Sequence, residues 1–380
     1  MLSGTGWGTL AGGAVLTTTG YALGYGEAAA LGVTCLLAVA FAVLWALPAP
    51  VLGAERRIVP SRVSRGDPAE GVVVLTNTGS RARRGLRAVD RCGGQDITVE
   101  VPALNPGATH ELRYPLPTAR RGRVPVGPLR LERTDPLGLV RRMRPYGEPD
   151  TVLVRPRTCP LPVLPSGQAH HVEGPASDTA DDGSLTFHAL REYVLGDDLR
   201  RVHWRSTART GTLMVRQMID VSLPHTTLVL DTRRPAYASG DDFELAVDCA
   251  ASIACAAARS HFPVHLVGAT GPILRTDGTG DDGDALLDAL AVVRGEELAS
   301  VTAAFEGLER GRGDGALVVV TGDARGLGVV DRVRRGFGRV TVVLVGDADT
   351  DGPGTASDVR QLRVTSLDEL AAGWRREAVR

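Results

Sequence analysis

The sequence contains no lysine, so all 43 basic residues are arginine. With 46 Gly and abundant Ala and Val, this reads as a high-GC coding bias and not as a functional device. Aromatic residues make up only 4%. The arginines therefore lack the interleaved rings that stack bases, which argues against nucleic acid as a partner. Cysteines are few and odd in number, at 35, 92, 159, 249 and 255, with no CxxC spacing. That excludes a paired disulfide framework and a cysteine zinc site, and it fits a reducing cytoplasm. No P-loop, His-Glu-x-x-His or nucleophile elbow occurs. Charge is also missing where it is normally common. Glu27 is the only charged side chain before residue 55.

That apolar start carries the first positive signal. Ala28 to Leu47 is an uncharged run of 20 residues. At about 1.5 Å per residue it spans about 30 Å, the hydrocarbon thickness of a bilayer. Trp7 to Leu23 is uncharged too, but four Gly and four Thr weaken it. Gly24-Tyr25-Gly26 supplies a turn, so residues 1–54 read as a two-helix transmembrane hairpin. Trp7 and Trp45 fall near one interface. Arg56, Arg57, Arg62 and Arg65 follow, which by the positive-inside rule puts the rest of the chain in the cytoplasm. A signal peptide fits poorly, because no basic segment precedes the run and the run is long.

Residues 55–157 hold 20 Arg against 11 acidic residues, and residues 158–380 hold 23 against 32. The basic part directly follows the membrane segment, where anionic lipid would attract it. Within it, Gly71–Thr76, Asp96–Val101, His110–Leu116, Val124–Leu131 and Thr151–Val154 are short strand-like runs. Turns recur at intervals of about ten residues, as in a β-sandwich. Asp135-Pro136-Leu137-Gly138-Leu139 is a compact turn. Residues 158–186 are rich in Pro, Gly and Asp and read as a linker. His170-His171 within it reads as solvated.

Residues 187–222 form the most distinctive segment. Phe187-His188-Ala189-Leu190-Arg191-Glu192-Tyr193-Val194-Leu195-Gly196-Asp197-Asp198-Leu199 leads to Arg200-Arg201-Val202-His203-Trp204-Arg205-Ser206-Thr207-Ala208-Arg209. Asp197 or Asp198 is expected to cap a helix with Leu199, Val202 and Ser206 on one face. Gly211 would end it. Leu213–Gln217 then reads as a strand. Three roles fit these charges: an internal salt-bridge network, recognition of an acidic or phosphorylated partner, or a hydrolytic cluster of Asp197, Asp198 and His203.

From 223 to 380, apolar strands alternate with amphipathic helices, which predicts a doubly wound α/β sheet. Strands are expected at 227–230, 264–267, 316–320 and 340–345. Helices are expected at 242–261, 284–293, 299–310, 325–335 and 367–378. Ser239 and Asp242 form a capping box. Asp231 and Asp323 each follow an apolar strand, where such sheets bind ligands. Asp347-Ala348-Asp349-Thr350-Asp351-Gly352 has calcium-loop spacing but follows a strand, so an acidic loop is the better reading. Asp281-Asp282-Gly283-Asp284 reads as a helix start.

The Arg-Glu-Tyr-x-x-Gly-Asp-Asp and Arg-Arg-x-His-Trp-Arg-x-x-Ala-Arg motifs resemble the signature of the domain of unknown function 58 family. Its residues here are Arg191, Glu192, Tyr193, Gly196, Asp197, Asp198, Arg201, His203, Trp204, Arg205 and Arg209. The hairpin and the Asp135–Leu139 turn extend the likeness, with Leu137 where the family usually has Phe. The resemblance implies a von Willebrand factor A-like domain and association with MoxR-type AAA+ ATPases, but no reaction. In von Willebrand A domains the strand end holds magnesium through Asp-x-Ser-x-Ser. Here Asp231-Thr232-Arg233-Arg234-Pro235 lacks both serines, so a Mg²⁺ site at Asp231 and Asp323 looks degenerate and no cofactor is expected. The reading is a bacterial inner-membrane, two-pass scaffold with cytoplasmic domains, bound to the bilayer and to a protein such as an AAA+ ATPase. A scaffold is the expectation ahead of an enzyme. The alternatives are a hydrolase and a metal-dependent adhesion module.

Overall fold

The computed structural model describes residues 2–46, 52–83, 85–162, 185–194, 199, 202–220, 225–298, 300–306, 308, 315–323, 328–346 and 359–378. It divides into two compact units, Met1–Arg155 and Pro156–Arg380.

The first unit opens with two packed helices, α1 (Gly4–Leu23) and α2 (Gly26–Ala46), joined through Gly24 at φ +75°. Among the described residues, α2 alone is long and apolar enough to cross a membrane, with a mean hydropathy of 2.3. The glycines that weaken α1 on hydropathy have a packing role. Gly6, Gly13 and Gly20 are its buried residues, and they recur every seven positions. An added Cβ on Gly13 would press on Cys35 and Leu36, and one on Gly20 would collide with Ala29. Small residues thus let the two backbones approach, as in helix pairs packed within lipid. The Thr9, Thr17, Thr18, Thr19 and Thr34 hydroxyls donate to carbonyls one turn back, so none needs an outside partner.

Ten strands follow. One sheet orders β1 (Leu52–Val59), β3 (Glu70–Asn77) and β6 (Thr109–Pro115). The other runs β2 (Arg62–Ser64), β10 (Asp150–Arg155), β7 (Gly122–Val126), β4 (Leu86–Cys92), β8 (Leu129–Thr134), β9 (Arg141–Tyr146), with β5 (Gln95–Val101) paired to β4. Alternate residues of β3 are buried, as expected for a strand with one face on a core. Val73, Leu75, Leu112 and Tyr114 from the first sheet meet Leu86, Val126, Leu131 and Val152 from the second in one cluster, so the two sheets form a sandwich. The run 124–131, expected as one strand, is two. Gly127 turns the chain at φ +93°, and a Cβ there would strike the Arg56 guanidinium. Arg56 needs that space because it reaches in to Asp90, which also accepts from the Tyr114 hydroxyl.

In the second unit, β11 (Leu185–Glu192) pairs antiparallel with β12 (Met214–Asp220), and α3 (Trp204–Thr210) lies between them in sequence. A six-stranded sheet follows in the order β15 (Gly271–Arg275), β14 (Val264–Gly268), β13 (Thr226–Leu230), β16 (Ala316–Thr321), β17 (Arg339–Val345), β18 (Arg360–Val364). All neighbours are parallel except β15. Continuous apolar strands serve two cores. Leu228, Leu230, Val318, Val320 and Val343 face one, with α4 (Gly240–Arg259), α5 (Asp282–Val292) and α8 (Leu367–Ala378). Val229, Leu317, Val319 and Val342 face the other, with α6 (Thr302–Glu306) and α7 (Val330–Val333). Helices on both faces make this a doubly wound arrangement. Ser239 caps α4, its hydroxyl accepting from the Asp242 N–H and donating to the Asp242 carboxylate, and Asp281 stands at the start of α5 without a side-chain cap bond.

The start of the expected linker is not a free spacer. Arg157 donates from its backbone and Nε to the buried Asp248 of α4, at 2.9 and 3.0 Å. The Trp374 indole donates to the Pro162 carbonyl at 2.9 Å. His170, His171 and the acidic loop 347–352 lie outside the described residues.

Candidate functional site

The strand order reverses direction between β13 and β16, and ligands in open α/β sheets bind beyond the strand ends at such a point. Asp231 stands there, 1% exposed. Its carboxylate is already saturated. Oδ1 accepts from the Arg233 backbone N–H at 3.1 Å and from its Nε at 2.9 Å. Oδ2 accepts from Arg233 Nη2 at 2.7 Å and from Thr321 Oγ1 at 2.8 Å. A carboxylate offers about four lone-pair sites, so these bonds use all of them. Thr232 Oγ1 is engaged as well, accepting from the Ala269 N–H at 3.1 Å. The Asp323 backbone N–H bonds Thr321 Oγ1 at 3.1 Å.

The guanidinium of Arg233 is 8% exposed as a residue, and it lies flat on Asp231 as a forked pair. Its hydrogen bonds to Asp231 raise its pKa further, against the opposing effect of burial, and the charge of Asp323 adds to the rise. A charged group of this chain therefore occupies the carboxylate that a divalent cation would need. Among the described residues, no group of three His, Cys, Asp or Glu is gathered for a metal.

The signature segment is built differently. The start of β12 is flanked on both edges. On one edge, Glu192 pairs with Met214 and the Tyr193 N–H donates to Leu213. On the other, Val202 bridges Val215 and the His203 N–H donates to the Met214 carbonyl at 2.8 Å. Strand spacing therefore brings residues 191–194 and 202–205 to within about 10 Å of each other at one end of β12. The helix is shorter than expected. It starts at Trp204, with His203 as its cap, and Leu199 and Val202 lie before it. The Ser206 N–H donates to His203 Nδ1 at 3.3 Å, and Ser206 Oγ lies 2.8 Å from that nitrogen. Gly211 ends the helix at φ +74°, as expected. Gly196, Asp197, Asp198 and Arg201 lie outside the described residues.

The side chains here point outward. No residue of α3 is buried. Trp204 is 68% exposed, Val194 63% and Leu199 60%. Arg191, Arg205 and Arg209 are exposed too. Among the described residues of the segment, Val202 and Val215 are buried. No ion pair joins Arg205 or Arg209 to another described residue. Large exposed apolar side chains set among arginines have the composition of a protein interface core, in which Trp and Arg are enriched. The buried thiols offer no rival chemistry. The pKa of Cys92 is pushed up to about 12 by burial, with Asp90 adding to the rise, which leaves it an inert thiol.

A family described as "Protein of unknown function DUF58" matches residues 189–362. No curated protein matches the chain. Three solved structures show local likeness. The CARDB domain of the PF1109 protein from Pyrococcus furiosus, in complex with di-metal ions, is 18% identical over 28% of this chain and 93% of its own, with a TM-score of 0.20. A β-glucosidase involved in saponin metabolism from intestinal bacteria is 17% identical over 27% of this chain and 17% of its own, at 0.18. The alkylpurine DNA glycosylase AlkC of Pseudomonas fluorescens, bound to DNA containing an abasic site analog, is 13% identical over 32% and 39%, at 0.19.

Proposed function

We propose, for a chain whose residues 189–362 belong to the domain of unknown function 58 family, that it is a membrane-anchored scaffold that binds another protein through the exposed signature segment. One observation carries this reading: Trp204, at 68% exposure, stands with Val194 and Leu199 among Arg191, Arg205 and Arg209. An exposed Trp costs solvation and gains nothing unless something covers it. The partner would present an apolar pocket rimmed by carboxylates. A MoxR-type AAA+ ATPase is the partner implied by the family resemblance.

In this reading α1 and α2 form a two-pass hairpin in the bacterial inner membrane. The Arg-rich segment after α2 keeps the rest in the cytoplasm. The second unit is von Willebrand factor A-like but independent of metal, because Arg233 supplies at Asp231 the positive charge that Mg²⁺ would otherwise bring. The metal-dependent alternative loses support for the same reason. For the hydrolase alternative, His203 has one ring nitrogen tied up in capping α3.

The test is recovery of a AAA+ ATPase with full-length protein from native membranes, in wild type and Trp204→Ala, with EDTA present throughout. A central interface Trp is worth about 2 kcal/mol or more. Binding should survive EDTA and fall about 30-fold or more in the variant. Equal recovery with both proteins, or loss of the wild-type complex in EDTA, would overturn the reading.

A further inference from the structure

The β8–β9 turn sits at the foot of the helical pair. Asp135 is buried and locks it: Oδ2 accepts from the Leu137 N–H at 2.9 Å and Oδ1 from the Val140 N–H at 2.6 Å. Gly138 closes the turn at φ +70°. The start of α1 grips this turn. The Ser3 N–H donates to Leu139 at 2.8 Å, Ser3 Oγ to Gly138 at 2.7 Å, and Thr5 Oγ1 to Gly138 at 3.1 Å. Arg142 donates to Ala46, the last residue of α2, at 3.4 Å. Leu139 and Val140 bury themselves against Val39, Ala42 and Ala46. Gly6 is needed for this approach, because a Cβ there would collide with the Leu139 carbonyl.

The turn is thus held at the level of the first turn of α1 and the last of α2, where Trp7 and Trp45 are also exposed. Leu137 at its tip is 57% exposed, although the residues on either side of the turn are tied down. β9 then leads away with Arg141, Met143 and Arg144 exposed, Arg141 being paired with Glu132 at 2.8 Å. At about 3.3 Å per residue, Arg144 lies up to about 13 Å from Val140, beyond the screening length of about 8 Å at physiological salt, so it adds attraction to an anionic leaflet only at low ionic strength.

We propose that the Asp135–Val140 turn is a third membrane contact. Leu137 enters the interfacial layer of the phospholipid leaflet. This rests on the reading of α2 as a membrane span. Its occupant is lipid because the turn is continuous with the foot of that span. The function is to fix the height and tilt of the β-sandwich over the bilayer, adding a lipid contact to the bonds that tie the turn to α1 and α2.

The experiment uses full-length protein in vesicles of phosphatidylcholine and phosphatidylglycerol, with and without bromine on the upper acyl carbons. Leu137→Trp is compared with Gln95→Trp and wild type. Gln95 lies at the other end of the sandwich, since β4 and β8 are antiparallel and Leu86 pairs with Arg133. Both sites are exposed, so the fold tolerates the ring. The emission added by Leu137→Trp should be blue-shifted and lose intensity with bromine as much as the native membrane tryptophans do. That added by Gln95→Trp should lose none. If native emission is quenched but the Leu137→Trp increment behaves like that of Gln95→Trp, the turn does not touch lipid and the membrane span stands. If bromine quenches no emission in wild type, the span and the turn contact both fall.

Discussion

Arginine is used in opposite ways at the strand end and in the signature segment. Arg233 is folded inward onto Asp231 and is almost unexposed, whereas Arg205 and Arg209 stand in water beside an exposed Trp204. Both stretches look alike in sequence, with arginines close to aspartates. What separates them is whether the carboxylate sits at the buried end of an apolar strand. At Leu230-Asp231 the strand carries the carboxylate out of water, and only a forked cation next to it makes that bearable. In the signature segment the described side chains of α3 lie open, with none of them buried. A closed, charge-neutral strand end and an open, basic, aromatic patch are therefore different devices. The first maintains the fold, and the second stands open to solvent.

The contrast can be broken most forcefully at Arg233. Arg233→Ala leaves a buried carboxylate without its cation, which costs about 3–5 kcal/mol. Urea unfolding of the full chain in detergent, followed through the buried Trp374, should show that loss. Asp231→Ala together with Arg233→Ala should recover most of it, since the charge left stranded is then gone. A loss of under about 1 kcal/mol in the single variant would mean that water or an ion already reaches Asp231, and the strand end would not be closed.

Asp135 is a buried carboxylate of a third kind, satisfied by backbone N–H groups and not by a cation. Asp135→Ala should cost about 2 kcal/mol, at the scale of hydrogen bonds to a charged group. Hydrogen exchange at the Leu137 and Val140 amides is the readout, and unchanged protection there would show that Asp135 does not hold the turn.

Some of this was legible before the structure and some was not, for identifiable reasons. Continuous apolar runs such as Leu317–Val320 and the Ser239 capping box announced the α/β unit, because both signals are local. The edge strands β15 and β18 escaped notice, since exposed residues such as Arg275 and Arg360 interrupt their pattern. The α1 glycines read as a weakness, although their spacing of seven is itself the signal of a packed face. In the signature segment the helix start was not legible. An Asp cap was the more familiar expectation, and the ladder from His203 to Met214, a long-range bond, decided the matter. The absence of serine at 233 and 235 was plain in the sequence. That Arg233 would itself occupy Asp231 required the geometry.

A smaller effect concerns pH and the strand next to Asp231. On β14, burial lowers the pKa of His265 from 6.5, with Arg275 and His225 adding to the drop. The unfolded chain therefore takes up the proton first as pH falls. Stability should decline as pH drops through about 6.5 toward the lower folded value, and this contribution should be constant above it. The wild-type slope between pH 7 and 5 minus that of His265→Gln isolates the effect. Equal slopes would mean that His265 titrates as it does in the unfolded chain.

The smallest expected change is the most discriminating. If the signature patch is a binding surface, Trp204→Ala should alter stability by no more than about 0.5 kcal/mol, as surface substitutions do. If instead Trp204 packs on some part of the chain, truncation should cost about 3–5 kcal/mol, like other buried aromatics. The same urea experiment serves for Trp204→Ala and Arg233→Ala, since Trp374 reports on both. A near-zero loss in the first beside a large loss in the second would place the energy of these two arginine-rich stretches where their burial says it lies. Two large losses would make the patch part of the fold, and the partner would then have to be sought on another surface.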